Sequence, residues 1–196
     1  MSVKIGVLAL QGAVREHVEA LHRAGAVSPV LVRTPEDLCD IAGLIIPGGE
    51  STTIGKLMTR WGLVEAIRER YHTGMALFGT CAGMILLARE VEGCDQFSLG
   101  LVDMTVRRNA FGRQVESFEA DVEVPAIGTE PIRGVFIRSP IATRVGEGVD
   151  VMGTVDGKIV LVKQDRCLAS AFHPELTDDP RVHQLFLRMA AGEETV

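Results

Sequence analysis

The chain of 196 residues contains no stretch approaching the roughly 20 uninterrupted apolar positions that a membrane helix requires, so a membrane-spanning protein is not expected. It has no basic excess either. The 26 acidic against 20 basic side chains give a formal charge of -6, which repels phosphate backbones and leaves no electrostatic footprint for DNA or RNA. The four cysteines (Cys39, Cys81, Cys94 and Cys167) form no C-x-x-C pair and, with the five histidines, show no metal-ligand spacing. A disulfide framework and a metal are therefore not expected, and reduced thiols point to a cytoplasmic protein. The opening MSVKIGVLALQG carries one Lys before a short apolar run and reaches Gln11 and Gly12 without a cleavage-like site, so it reads as a first strand, not a signal peptide. Repeats, linkers and low-complexity tracts are absent. With 46% hydrophobic positions, residues 1–196 are expected to form one domain around one core.

What is present is an α/β pattern, short apolar runs alternating with amphipathic segments, as expected where parallel strands are joined by crossover helices. Ile5 to Leu10 predicts a strand, and Val14, Val18 and Leu21 at i, i+4 and i+7 predict the helix after it. Pro29 to Val32 and Leu44 to Ile46 follow as strands, the second stopped by Pro47-Gly48-Gly49. Ser51 or Thr52 is expected to cap a helix through Met58, and Leu63 to Tyr71 to form another after the break at Gly62. Met75 to Phe78 predicts a buried strand, and the apolar run Met84 to Ala88 a helix. Beyond Glu90, runs at Leu101 to Val106, Val115 to Val122, Gly134 to Ile137, Val149 to Val155 and Ile159 to Val162 read as added strands, some antiparallel, with a hairpin turn at Gly157-Lys158 after Asp156. Leu168 to Phe172 closes the strands, and a last helix starts near Pro180.

Three motifs carry chemistry. Gly79-Thr80-Cys81-Ala82-Gly83, between a strand and a helix, has the form of a tight turn that strains its central residue and exposes it above a sheet edge. The positive end of the helix dipole there favours a thiolate. A buried structural cysteine is the competing reading. In His173-Pro174-Glu175, an extended segment would point residues 173 and 175 the same way, so that the carboxylate orients the imidazole; a polar strand end is the alternative. Pro47-Gly48-Gly49-Glu50-Ser51 frees the backbone to approach a ligand and aim N–H groups at an oxyanion, or it is a simple turn. A phosphate loop is excluded by the missing Gly-Lys-Ser/Thr ending. All three motifs fall at the carboxyl ends of predicted strands, the edge where α/β sheets place their sites. Cys39, Cys94 and Cys167 lack a neighbouring base, and His17, His22, His72 and His183 read as solvated or capping residues.

In order along the chain, PGGEST, FGTCAG and FHPE resemble the class I (triad) glutamine amidotransferases. LQGAVREH, VRRNAFGRQ, SFEAD and GVFIRSP are similar to the glutaminase subunits of pyridoxal 5'-phosphate synthase within them, and the likeness runs from Leu10 to about Thr177. The resemblance implies a flavodoxin-like three-layer sandwich, a mostly parallel sheet with added antiparallel strands. It implies hydrolysis of L-glutamine to glutamate and ammonia without a cofactor, the ammonia passing to a separate synthase barrel that builds vitamin B6. It further implies Cys81 as nucleophile with His173 and Glu175 as its relay, and Gly48, Gly49, Glu50, Arg108, Ile137 and Arg138 as glutamine contacts. The Gly49 and Ala82 amides would form the oxyanion hole, and the Gln11-Gly12 peptide would adjust when the synthase docks. Arg107 departs from the family pattern, which has an acidic residue before the Arg-Asn pair. A nucleophile elbow does not choose its substrate, so a cysteine peptidase or small-amide hydrolase, or an interaction subunit that has kept the fold, remain rival readings.

Overall fold

A computed structural model describes residues 3–26, 28–110 and 117–193. Its first half follows the βα alternation read from the sequence: β1 (Ile5–Leu8), α1 (Val14–Arg23), β2 (Val30–Val32), β3 (Gly43–Ile46), α2 (Ser51–Arg60), α3 (Leu63–His72), β4 (Ala76–Thr80) and α4 (Ala82–Leu87). Strands dominate the second half: β5 (Ala88–Val91), β6 (Val102–Arg107), β7 (Ser117–Val122), β8 (Ile132–Ile137), β9 (Ile141–Val145), β10 (Asp150–Val155), β11 (Lys158–Gln164) and β12 (Cys167–Ser170), before α5 (Arg181–Ala191). The expected strand over Val115 to Val122 starts at Ser117; Val115 and Glu116, with Phe111 to Gln114, lie outside the described residues.

Strands β2, β1, β3, β4 and β12 lie side by side in that order, and every pair is parallel. Antiparallel β11 extends them and the sheet continues through β9, β6 and β5, with β10 also on β11. Strands β7 and β8 form a separate antiparallel ribbon. The expected β10–β11 hairpin is present, but its turn is one residue earlier, at Asp156 and Gly157, both at positive φ, while Lys158 already pairs with Val155.

Successive side chains of β4 define the layers, because neighbours on a strand face opposite ways. Phe78 meets His17 of α1 and His183 and Phe186 of α5. A Cβ on the next residue, Gly79, would overlap the Gly83 backbone and touch Leu87, both in α4. Helices α1 and α5 thus cover one face and α4 the other, where it packs with α2. This is the mixed three-layer α/β arrangement expected from the resemblance. Strands β1, β3, β4 and β12 are buried at every position, as strands covered on both faces must be, while edge strand β2 buries only Val32.

Two local expectations are corrected. Helix α2 is capped by Glu50, not by Ser51 or Thr52; its carboxylate accepts the N–H groups of Thr52 at 3.2 Å and Thr53 at 2.7 Å. And α4 ends at Leu87, one residue early, because Ala88 turns extended to start β5. Among the described residues no helix is long and apolar enough to cross a membrane.

Candidate active site

The site forms where β3, β4 and β12 end. Cys81 lies between β4 and α4 at φ 49, ψ -99, a left-handed conformation that a residue with a side chain holds only when its surroundings enforce it. The enforcement is steric: a Cβ on Gly83 would overlap the Ile46 carbonyl oxygen, so the helix can start this close to β3 only with glycine there. Cys81 N–H donates to the Ser170 carbonyl of β12 at 2.7 Å, which fixes the turn against the strand that leads to His173.

His173 sits three residues beyond β12, and its N–H donates to Val135 O of β8 at 2.8 Å. Its Nδ1 lies 2.7 Å from Oε1 of Glu175, with both side chains buried. Glu175 reaches the ring from a single 3₁₀ turn (Pro174–Leu176), not from the extended segment the sequence predicted. Burial pulls the His173 pKa down, but the Cys81 sulfur and the Glu175 carboxylate raise it to about 10. Burial pushes the Glu175 carboxyl up, and His17 and His173 outweigh it, leaving it below its ordinary value. A Cβ on Gly48 would overlap His173 Cε1 and sit 3.4 Å from the Cys81 Cβ, so Cys81, the His173 imidazole and the glycine turn converge on one point.

That turn is clamped. Gly48 N–H donates to Thr80 Oγ1 at 3.0 Å and Glu50 N–H to Gln11 Oε1 at 2.9 Å, which leaves the Gly49 N–H as the turn's unclaimed donor. Ala82 opens α4, so its N–H has no carbonyl four residues back in the helix. Gly12, at φ 108, approaches so closely that a Cβ would overlap Gly48 O, and Ala13 N–H donates to that oxygen at 3.0 Å.

A cavity of about 110 Å³ opens in front of Cys81, lined by Gly49, Glu50, Ala82, Arg108, Ile137 and Arg138 together with Ser51, Ile85 and Asn109. Five of the six residues expected to contact glutamine line it, while Gly48 lies behind them against His173. Arg108 donates to Gln96 Oε1 at 2.8 Å and lies 3.8 Å from Glu50 Oε1. Arg138 is held at φ 45 just after β8, and the Ile137 carbonyl lies 3.8 Å from the Cys81 sulfur. Arg107 points elsewhere, pairing with Glu92 at 2.7 Å.

Sequence reasoning missed the layer behind the triad. His17 and His183, read as solvated or capping, are fully buried. His17 Nε2 lies 3.0 Å from Thr80 Oγ1 and 3.5 Å from Glu175 Oε2, and its Nδ1 is 3.1 Å from His183 Nε2. The signal was available, since position 17 completes an i, i+3, i+4, i+7 stripe with Val14, Val18 and Leu21. Cys167 is also buried, and burial pushes its thiol up to about 12, so it packs un-ionised. Among the described residues no group of three His, Cys, Asp or Glu side chains is placed to hold a metal ion.

Similarity to known proteins converges on one family. The chain is 57% identical to the pyridoxal 5'-phosphate synthase subunit PdxT of Desulforudis audaxviator over 185 residues, 94% of this chain and 97% of that one. It is 58% identical to the PdxT subunit of Pelotomaculum thermopropionicum over 185 residues, 94% of each. A solved structure described as a glutamine amidotransferase superposes with a TM-score of 0.89 at 53% identity, covering 95% of this chain and 98% of that chain. PurLQS of Thermotoga maritima, at 18% identity and a TM-score of 0.71, shares the fold. The model of the SNO glutamine amidotransferase family matches residues 7–192, and the chain belongs to that family.

Proposed function

We propose that the chain is the glutaminase subunit of a pyridoxal 5'-phosphate synthase, one catalytic domain that hydrolyses L-glutamine and supplies the ammonia to a synthase barrel. The observation that carries this reading is the buried 2.7 Å contact between His173 Nδ1 and Glu175, set beside Cys81 at its strained turn. Glu175 fixes the imidazole through Nδ1 and leaves Nε2 for the sulfur. The His173 pKa, raised to about 10, keeps the ring protonated at neutral pH beside the Cys81 sulfur.

The Cys81 sulfur attacks the side-chain amide carbon of glutamine, and the C=O electron pair moves onto oxygen. The Gly49 and Ala82 N–H groups receive that oxyanion, an arrangement worth about 3 kcal/mol per donor in enzymes of this type. Collapse expels the amine as His173 protonates it, leaving a glutamyl thioester. Water, deprotonated by His173, then hydrolyses the thioester to glutamate and returns the thiol. Arg108 and Arg138 lie where they can hold the α-carboxylate, and Glu50 where it can meet the α-ammonium.

The relatives named PdxT support a synthase as the partner, and the four unpaired cysteines support a cytoplasmic setting. Ammonia release from glutamine, measured with and without the cognate synthase, tests the whole reading. Cys81→Ala should abolish release while the protein still melts cooperatively. Full activity in that variant, or hydrolysis of peptides but not glutamine by the wild type, would refute it.

A further inference from the structure

The buried layer behind the triad has no part in the reaction just described. Three observations meet in it. Oε2 of Glu175, the oxygen not used by His173, is buried and has no hydrogen-bond partner among the described residues. His17 Nε2 lies 3.5 Å from it. The same nitrogen lies 3.0 Å from Thr80 Oγ1, the oxygen that receives the Gly48 N–H.

We propose that His17 is a positioning residue of the glutaminase reaction, a neutral imidazole whose Nε2–H faces Glu175 Oε2 and Thr80 and thereby joins the triad acid to the oxyanion turn. The proposal rests on the glutaminase reading above.

The tautomer follows from counting donors. With the proton on Nε2, His17 offers an N–H to the otherwise undonated carboxylate oxygen, and Nδ1 accepts from His183 Nε2 at 3.1 Å. His183 Nδ1, buried without a partner, is then a bare lone pair. With the proton on Nδ1, the carboxylate would face a second lone pair, and His183 Nδ1 would become a buried N–H with no acceptor. Orphaned buried donors are rarer than under-used acceptors, so the His183 end selects Nε2–H, and the carboxylate does the same by facing a proton instead of a lone pair, while Thr80 Oγ1 accepts from both Gly48 and His17.

Burial and the neighbouring His173 hold His17 against protonation, while Glu175 and Glu16 favour it; burial prevails and the ring stays neutral. Burial and His17 likewise hold His183 down to about 3. A neutral donor suits the position, since a full positive charge at Oε2 would compete with imidazolium formation at His173 on Oε1.

The experiment uses the full chain with its cognate synthase and reads kcat and KM for glutamine, with thermal melts alongside. If the wild type releases no ammonia, the glutaminase reading fails, and that outcome is distinct from any result on His17. Given an active wild type, His17→Leu should lower kcat about ten-fold or more, within the contribution of an oriented acid–base group, while KM stays within about two-fold. His17→Gln, which restores an N–H at the Nε2 position, should recover most of the loss. Histidine ¹⁵N spectra of the unmutated protein provide an assay that needs no variant to fold, and they should show His17 neutral and protonated on Nε2 from about pH 6 to 9. Wild-type kcat in His17→Leu, equal impairment in the Leu and Gln variants, or a His17 protonated on Nδ1 would each overturn the proposal.

Discussion

Gly48→Ala isolates the geometry of the base from every other feature of the site. Gly48 is not among the residues at positive φ, so alanine meets no backbone penalty and the effect comes from the added methyl alone. That methyl would overlap His173 Cε1 and lie 2.9 Å from Nδ1, whereas carbon and nitrogen atoms at rest sit about 3.5–4.0 Å apart. The ring must therefore retreat by on the order of 1 Å, and displacements of that size cost about 10²-fold in rate. Full loss of an oriented acid–base group costs about 10²–10⁴-fold, or about 3–5 kcal/mol of barrier. The folded protein is affected less, because overpacking costs about 1–3 kcal/mol and each kcal/mol lowers the Tm of a protein this size by about 2–4 °C. Initial rates of ammonia release with saturating glutamine and synthase, with circular dichroism melts, separate the two effects. We expect kcat to fall at least 10²-fold in a protein that still melts cooperatively. A folded Gly48→Ala protein with kcat within about three-fold of wild type would refute the placement of His173 as the working base.

The pH response of stability has a definite sign. His173 is raised from 6.5 to about 10, so its stabilising contribution is complete below pH 6.5 and is lost as pH climbs towards 10. Glu175 is lowered from 4.5, so its contribution is present above pH 4.5 and is lost as pH falls below it. Urea melts across this range should show both losses in the wild type, and Glu175→Gln should remove the acid one and bring the alkaline limb of kcat below pH 10. Arg108→Ala should raise KM for glutamine by about 10–100-fold with kcat little changed, the effect of losing a hydrogen bond to a charged group. Gln96→Leu, which frees the Arg108 guanidinium from its 2.8 Å contact, should move KM the same way by less.

Elements whose burial is one-sided or complete were legible in the sequence. β3 and β4 are apolar runs cut by glycine turns, and the elbow between β4 and α4 is fixed by small residues that the sequence displays openly. β5 and β9 were not legible. β5 exposes Arg89 and Glu90 between buried Ala88 and Val91, and β9 has only Ile141 and Ala142 buried, so neither carries a period-two pattern. The cap of α2 was misassigned because Ser51 and Thr52 have the favoured side chains, while Glu50 wins by reaching two N–H groups at once. Glu175 was correctly paired with His173 for the wrong local reason, since a 3₁₀ turn and an extended strand both bring residues 173 and 175 within reach. His17 failed differently: polarity alone argued for solvent, whereas its place in an apolar stripe meant burial, and a buried imidazole needs polar partners that only the tertiary fold supplies.

The turn proposed to receive the oxyanion is tied to the rest of the fold on two sides. The Gly49 N–H points where the bonds of its two neighbours aim it, and those bonds come from two directions. Thr80 holds Gly48 from the sheet side, a contact locked inside the protein by His17 and β4. Gln11 holds Glu50 from the loop that precedes α1, and Ala13 holds the Gly48 carbonyl from the same loop. One anchor is buried and the other lies near the surface, where Glu50 is exposed. The resemblance implies that the Gln11-Gly12 peptide adjusts when a synthase docks, and a shift of that peptide would reach Gly49 through these bonds without passing through Cys81, His173 or Glu175.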